Sequence, residues 1–155
     1  MLLKTENHQY FFEVQLKLLE GGNAILSAKN TPDMIKVAAT PEFAGGAPGK
    51  WSAEQLFLAS LSSSLMETYF AFAAKVKLRV VDFECTAIGQ VRLVKSHMEF
   101  TIVNLFPKIL IAHEEDHVSA NKVLMKTYKH AIISNSVKTQ IVHHGEVLVQ
   151  KGVLP

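Results

Sequence analysis

Apolar and polar positions alternate with the period of β-strands in the first third of the chain. The alternation runs loosely from Tyr10 to Leu19 and predicts a half-buried strand. Gly21-Gly22-Asn23 predicts a hairpin turn, which leads into a second strand over Ala24–Ala28. Thr31-Pro32-Asp33 predicts another turn, and a third short strand over Met34–Ala39 follows.

The longest apolar stretch, Trp51–Val76, predicts a helix that organises the rest of the chain. Ser52 is placed as its N-cap, and Gln55 three residues later completes a capping box. Between Leu56 and Ala74 the only charged residue is Glu67. A helix that is apolar nearly all round is expected to be buried on most faces, and in a chain of this size that predicts an obligate dimer.

Small residues crowd the middle of this helix: Ala59, Ser60, Ser62, Ser63 and Ser64. Serine is mediocre in helix interiors because its hydroxyl competes for backbone hydrogen bonds. We therefore expect either a close-packed partner or a pocket wall at this point. The serines, the single glutamate and a cap suited to water argue against a membrane span, so we expect no membrane partner.

The second half of the chain predicts a strand hairpin, a second helix and a final strand. The hairpin covers Leu78–Val94 and Met98–Phe106, with Pro107 ending it. The second helix runs from about His113 to about Ile132, and a last strand covers Ile141–Gln150. Ser134-Asn135-Ser136 is expected to break the helix. The order βββ-α-ββ-α-β predicts a single α+β domain over residues 1–155, with mostly antiparallel strand pairing.

Composition narrows the classes of partner. Of the 155 residues, 48% are hydrophobic and 19% charged, which is apolar enough to suggest a buried partner surface. The net charge is +2, and Arg79 and Arg92 are the only arginines, so we expect no nucleic-acid partner. One cysteine, Cys85, excludes an internal disulfide and is expected to be an inert thiol. Residues 1–6 lack the apolar core of a signal peptide, which favours the cytoplasm.

One segment matches a zinc-hydrolase motif by its letters. His113-Glu114-Glu115-Asp116-His117 has the H-E-x-x-H spacing, which on a helix places two imidazoles one turn apart. The segment is acidic and opens a helix, so we expect a solvated first turn and no bound metal.

Two local motifs and the order of elements resemble the OsmC/Ohr family of organic-hydroperoxide reductases. The first motif, Trp51-Ser52-Ala53-Glu54-Gln55-Leu56-Phe57, is similar to the family's helix start, Ser/Pro-Glu-Glu-Leu-Leu. The second, Ala131-Ile132-Ile133-Ser134-Asn135-Ser136-Val137, is similar to its Cys-Pro-x-Ser-Asn-Ser run. The resemblance covers about residues 10 to 150. It implies an OsmC-like fold in an intertwined homodimer, with antiparallel sheets wrapped around the central helices and two pockets at the interface.

The same resemblance implies that the family's chemistry is missing here. The position of the peroxidatic cysteine corresponds to Ser64 and that of the resolving cysteine to Ala131. The family's N-terminal arginine has no counterpart before Arg79, and only the helix-start glutamate is kept, as Glu54. Serine cannot replace the cysteine, because peroxide attack needs a low-pKa thiolate that can pass through sulfenic acid.

The leading expectation is a family relative without peroxidase activity and without a cofactor. It would bind a small apolar or amphipathic molecule in an interface pocket lined by Ser60, Ser64, Glu67 and Ala131. One alternative is an enzyme of another class, with Ser64 as nucleophile and His130 or another histidine as base. Another is a non-catalytic structural or interaction protein.

Overall fold

The computed structural model describes residues 9–152 and consists of two units that meet along the sequence at Gln55 and Leu56. The prediction of a single domain over residues 1–155 stays a prediction. The expected lack of a signal peptide concerns residues 1–6, which lie outside the described residues.

The first unit contains a three-stranded antiparallel sheet. Its strands are β1 (Val14–Leu18), β2 (Ala24–Ala28) and β3 (Thr31–Val37), in the order β1-β2-β3. A short 3-10 turn over Glu20–Gly22 joins the first two strands at the predicted reversal, and both of its glycines have positive φ. That backbone region favours glycine, so the Gly-Gly signal is correctly interpreted there.

Two predictions for this sheet are wrong. Thr31-Pro32-Asp33 is not a turn, because it opens β3; the chain reverses one step earlier, where Asn30 has a φ of 62°. Proline is tolerated in β3 since this is an edge strand, whose outer side needs no ladder donor. The segment expected to be half-buried begins only at Val14, and the apolar side chains of β1 are 64–71% exposed in the single chain.

The last residues of the first unit lead into the long helix and form its N-terminal cap. The loop after β3 returns to the sheet, where Ala38 N–H donates to the Trp51 carbonyl at 3.0 Å. Ser52 and Gln55 then form the predicted capping box. Ser52 N–H donates to Gln55 Oε1 at 2.9 Å, and Gln55 N–H donates to Ser52 Oγ at 3.2 Å. Each of these two hydrogen bonds gives an acceptor to a backbone N–H that has none within the helix.

Helix α1 spans Ala53–Lys75, close to its predicted bounds. Its predicted burial on most faces included a partner chain and stays a prediction. Within the single chain one stripe is buried, with residues spaced four apart: Leu61, Leu65, Tyr69 and Ala73. By length and composition alone α1 is long and apolar enough to cross a membrane, a test that core helices of soluble proteins also pass. The other apolar faces of α1 therefore remain available to a partner.

The second unit is built on a long antiparallel hairpin, β4 (Val80–Val94) paired with β5 (His97–Ile111). Two short strands, β6 (Gln140–His143) and β7 (Glu146–Val149), lie along the other edge of β5, and both run parallel to it. The single final strand predicted over Ile141–Gln150 is thus two strands, and its pairing is not antiparallel.

Pro107 does not end β5, contrary to the prediction. Its partner in β4 is Cys85, and the strand continues to Ile111. On the opposite edge, pairing with β6 stops at Leu105 and pairing with β7 resumes at Lys108. Pro107 sits in that gap between the two strands, so its missing N–H costs no ladder hydrogen bond.

The second helix also ends earlier than predicted. A 3-10 turn over Glu114–Asp116 precedes α2 (His117–His130), and a short helix α3 (Ile132–Asn135) follows. The break lies at Ala131, whose backbone is extended with a ψ of 117°, and not at Ser134-Asn135-Ser136. The α+β fold class is thus confirmed. The predicted ends of β5, the second helix and the final strand are wrong, because tertiary contacts decide where these elements end.

We predict that Ser52→Ala lowers the free energy of unfolding by about 1 kcal/mol, because the Gln55 N–H loses its capping acceptor. In a chain of this length that corresponds to a fall in Tm of roughly 2–4 °C. The matched control is Ser63→Ala on the same helix, where an exposed hydroxyl bonds only to the helix's own Ala59 carbonyl. Thermal unfolding followed by circular dichroism measures both, and an equal loss in the two variants would contradict the capping interpretation.

Candidate functional site

The predicted site centres on Ser64, in the middle of α1. Its side chain is buried, with 8% of the residue exposed, and its Oγ accepts a hydrogen bond from Ile133 N–H at 3.3 Å. That N–H is free because Ile133 lies in the first turn of α3, where backbone donors have no intrahelical acceptor. The break at Ala131 therefore creates the donor that Ser64 satisfies.

Ser64 and Ala131 are brought together by this arrangement. Ala131 is fully buried in a cluster with Leu61, Leu65, Val103 and Leu105. Ser64 reaches the same place through its hydrogen bond to the residue two positions after Ala131. The two positions that the resemblance equates with cysteines thus share one apolar neighbourhood, and their assignment to those roles stays a prediction.

The neighbouring serines use their hydroxyls inside α1. Ser60 donates to the Phe57 carbonyl at 2.7 Å, Ser62 to Leu58 at 3.1 Å, and Ser63 to Ala59 at 2.9 Å. Each hydroxyl thus has an acceptor in the preceding turn of its own helix, so a serine-rich helix can lie in apolar surroundings. Ser64 differs from these three in that its Oγ accepts a hydrogen bond from the backbone of another element.

The remaining predicted site residues are more peripheral. Ser60 is half-buried and lies one turn before Ser64 on the same side of α1. Glu67 is exposed, one turn after Ser64. Glu54 lies in the first turn of α1, where a carboxylate complements the helix dipole. The structure therefore brings together Ser64 and Ala131, whereas the pocket roles of Ser60 and Glu67 stay predictions.

Sequence reasoning missed a polar group beside the cluster, formed by Tyr128 of α2 and His143 of β6. Both rings stack with centroids 3.9 Å apart, and Tyr128 packs against the cluster that contains Ala131. Burial raises the pKa of Tyr128 to about 12, although a hydrogen bond with the Gly145 backbone opposes the shift. Burial also lowers the pKa of His143, helped by the nearby charge of His144. Both rings are therefore neutral at neutral pH.

Cys85 lies on β4 against the same cluster. Burial raises the pKa of its thiol, opposed in part by hydrogen bonds from the Ser62 side chain and the Phe106 backbone. A thiol with a raised pKa carries little thiolate near pH 7 and reacts slowly. This agrees with the expected inert thiol. The neighbourhood of Ser64 and Ala131 is consequently apolar, with hydroxyl, thiol and neutral aromatic groups at its margin.

The H-E-x-x-H segment does not form the geometry of a zinc helix. His113 has an extended backbone ahead of the 3-10 turn, and His117 begins α2, so the two imidazoles do not share a helix face. His117 Nε2 lies 3.3 Å from the Val147 carbonyl, which it donates to, and Nδ1 faces the Asn121 amide at 3.4 Å. Within residues 9–152, no three His, Cys, Asp or Glu side chains are grouped to hold a metal.

No histidine is hydrogen-bonded to Ser64 among the described residues. His130, proposed as a general base, is exposed at the end of α2 and packs edge-on against Phe72. These described contacts therefore do not support the alternative in which Ser64 is a nucleophile.

Comparison by sequence finds no matching family model and no matching curated protein. Comparison of structures does find matches. An OsmC-like protein of unknown function from Vibrio cholerae has a TM-score of 0.79 and 18% identity, covering 90% of this chain and 100% of its own. An OsmC-like protein from Mycoplasma pneumoniae has a TM-score of 0.76 and 11% identity, covering 91% and 99%.

A third similar structure is an organic hydroperoxide resistance protein from Elizabethkingia anophelis. Its TM-score is 0.71 at 16% identity, with 93% of this chain and 99% of that one covered. The resemblance inferred from the two sequence motifs is confirmed at the level of the fold, over nearly the whole chain. This chain has the OsmC-like fold that is shared by OsmC-like and organic hydroperoxide resistance proteins.

Proposed function

We propose that this chain is a relative of the thiol-dependent organic hydroperoxide reductases that has no peroxidase activity and binds a small apolar or amphipathic molecule beside Ser64. The observation that carries the proposal is the character of the Ser64–Ala131 neighbourhood. By the resemblance of the two motifs it corresponds to the family's reactive site, but it contains aliphatic side chains and groups that are uncharged at neutral pH. No cofactor is needed for this role.

The thiol cycle has no chemical basis at these positions. A serine hydroxyl is not oxidised to a sulfenic acid, and alanine cannot resolve one. Cys85 is the only thiol in the chain, and the raised pKa of its side chain leaves little thiolate for peroxide attack.

Ligand binding is supported by a buried polar atom at the edge of the cluster, on the His143 ring that stacks on Tyr128. Ser134 Oγ and His143 Nε2 are both buried without a hydrogen-bond partner among the described residues. Buried polar atoms in folded proteins are nearly always paired with protein, water or ligand. An amphipathic ligand would place its apolar part on the Ala131 cluster and its polar atom at this edge.

Exposed apolar side chains support a homodimer. In the first unit Phe11 and Phe12 are 86% and 95% exposed in the single chain. In the second unit, Met66 and Phe70 of α1 are exposed one helical turn apart. Large apolar side chains exposed in this way favour an interface in each unit, so we propose that a second copy of the chain covers them and completes the pocket.

We predict that Met66→Asp with Phe70→Asp shifts the protein from dimer to monomer, because two carboxylates would be buried against an apolar partner surface. The matched control is Val118→Asp, an exposed aliphatic residue on α2. Light scattering at micromolar concentration measures the mass of each variant. A stable folded monomer of the unaltered chain would contradict the dimer.

For the ligand, we predict that the protein binds Nile red, a neutral apolar dye, saturably, and that Ser64→Leu abolishes this binding by filling the space beside Ala131. Ser63→Leu is the control, because the neighbouring position on α1 is exposed. Dye fluorescence measures binding, and circular dichroism checks that both variants keep their helix content. Equal binding by the two variants would place the dye elsewhere and refute the pocket.

For the residue assignment, we predict that Ser64→Cys combined with Ala131→Cys forms a disulfide within one chain on mild oxidation, in a Cys85→Ser background. Disulfides need Cα separations of about 4.4–6.8 Å, which neighbours in one cluster can meet. The control pair is Ser63→Cys with Ala131→Cys, because position 63 faces solvent. Thiol labelling and mass spectrometry give the result, and free thiols in the first pair would show that the two positions do not correspond to the family's cysteines.

A further inference from the structure

The imidazole of His143, at the end of β6, has one nitrogen that neither solvent nor another polar group reaches. Its Nε2 atom is buried and has no hydrogen-bond partner among the described residues. The ring stacks on Tyr128 of α2, with centroids 3.9 Å apart and planes inclined by 20°. Because Tyr128 packs against the cluster that contains Ala131, the stack links β6 to α2 beside that cluster.

Tyr128 is held in place by its own contacts. Its ring packs against both buried apolar clusters of the second unit. Its hydroxyl is hydrogen-bonded with the backbone of Gly145, in the connection between β6 and β7. A Cβ atom placed on Gly145 would lie 2.0 Å from Tyr128 Oη, so there is no free space between the hydroxyl and that backbone. These contacts keep the phenol ring over His143.

A protonated imidazole is disfavoured at this position. It carries an N–H on both ring nitrogens, whereas the neutral ring can leave Nε2 without a proton. After protonation, the buried Nε2–H of His143 would have no acceptor among the described residues, and a buried donor without an acceptor is destabilising. Burial accordingly lowers the pKa of His143, and the nearby charge of His144 lowers it further.

The groups that face the ring do not compensate a positive charge. Tyr128 from α2 is neutral because burial raises its pKa to about 12, and Cys85 of β4, near the tyrosine, also has a raised pKa. On β5 the sheet neighbour of His143 is Leu105, and the next residue in the chain, His144, is itself a base. Within residues 9–152, no carboxylate forms an ion pair or a hydrogen bond with His143.

We infer that His143 is an acid-sensitive switch, and that its protonation breaks the stack on Tyr128 and loosens β6 from the end of α2. The direction follows from proton linkage. An ordinary histidine has a pKa of about 6.5, so at higher pH the ring is neutral in the closed and the opened chain alike. At lower pH the opened chain binds a proton that the closed chain excludes, so the closed form loses stability as the pH falls. The inference concerns the ligand-free chain and does not depend on the proposed ligand.

The test compares urea unfolding of the full chain, without added ligand, at pH 7.5 and at pH 5.5. His143→Phe keeps a ring that can stack on Tyr128 but cannot be protonated. Between the two pH values, we expect the folding equilibrium constant of the unaltered protein to fall about three- to tenfold more than that of His143→Phe. The matched control is His144→Phe, because His144 is exposed, stacks on Phe106 and has its Nε2 2.8 Å from Asn104 Oδ1. This variant should keep most of the acid loss.

Two measurements on the unaltered protein test the switch without any variant. In an NMR titration, the His143 ring should have a midpoint below pH 6.5. Hydrogen exchange, corrected for its intrinsic pH dependence, should increase at pH 5.5 in β6 and the last turn of α2 more than in the centre of the β4–β5 hairpin. A His143 midpoint at or above pH 6.5 would overturn the inference, and so would equal acid losses in the unaltered protein and His143→Phe.

Discussion

The hydrogen bond from Ile133 N–H to Ser64 Oγ is the contact on which the arrangement of the site depends. It exists because α2 stops at Ala131, where the extended backbone interrupts the helix and leaves the first turn of α3 with unpaired donors. A buried N–H without an acceptor costs about 1–3 kcal/mol, so a small polar side chain is required opposite it on α1. Ala131 must also be small, since it is fully buried against Leu61 and Leu65.

Under the proposed correspondence of Ser64 and Ala131 with the family's two cysteines, the same contact keeps the local structure in place without thiols. Serine at position 64 supplies the acceptor that the α3 donor needs, and alanine at position 131 fits the apolar cluster. Packing and one hydrogen bond therefore hold Ser64 and Ala131 in place. Thiol redox chemistry needs sulfur atoms, which neither residue has. Tyr128, His143 and Cys85 at the margin are shifted by burial towards their uncharged forms, which suits a neutral ligand better than a peroxide-activating thiolate.

The features that could be predicted from the sequence depend on residues that are close to one another along the chain. The capping box at Ser52 and Gln55 and the long apolar run fixed α1 almost to the residue. The features that could not be predicted depend on residues distant in the sequence. Pro107 ends a strand by local rules, yet here it faces the gap between β6 and β7, where its missing N–H is not needed.

The candidate site also contains residues that could be predicted from the sequence and residues that could not. Ser64 and Ala131 were found through the resemblance of two motifs, and the structure places both at one cluster. Tyr128 and His143 carry no motif, and their rings meet only in the tertiary structure, where one residue of α2 stacks on one residue of β6. The predicted burial of α1 on most faces included a partner chain and stays a prediction, because the single chain by itself covers only one stripe of the helix.

We propose that this chain keeps the fold of the hydroperoxide reductases without their thiol chemistry. This proposal is tested most directly by turnover of cumene hydroperoxide by the unaltered protein in the presence of a dithiol reductant. We expect no turnover above that of the reductant alone, because Ser64 and Ala131 carry no thiol and burial raises the pKa of the Cys85 thiol. Sustained turnover that disappears in Cys85→Ser would contradict it and make Cys85 the reactive thiol.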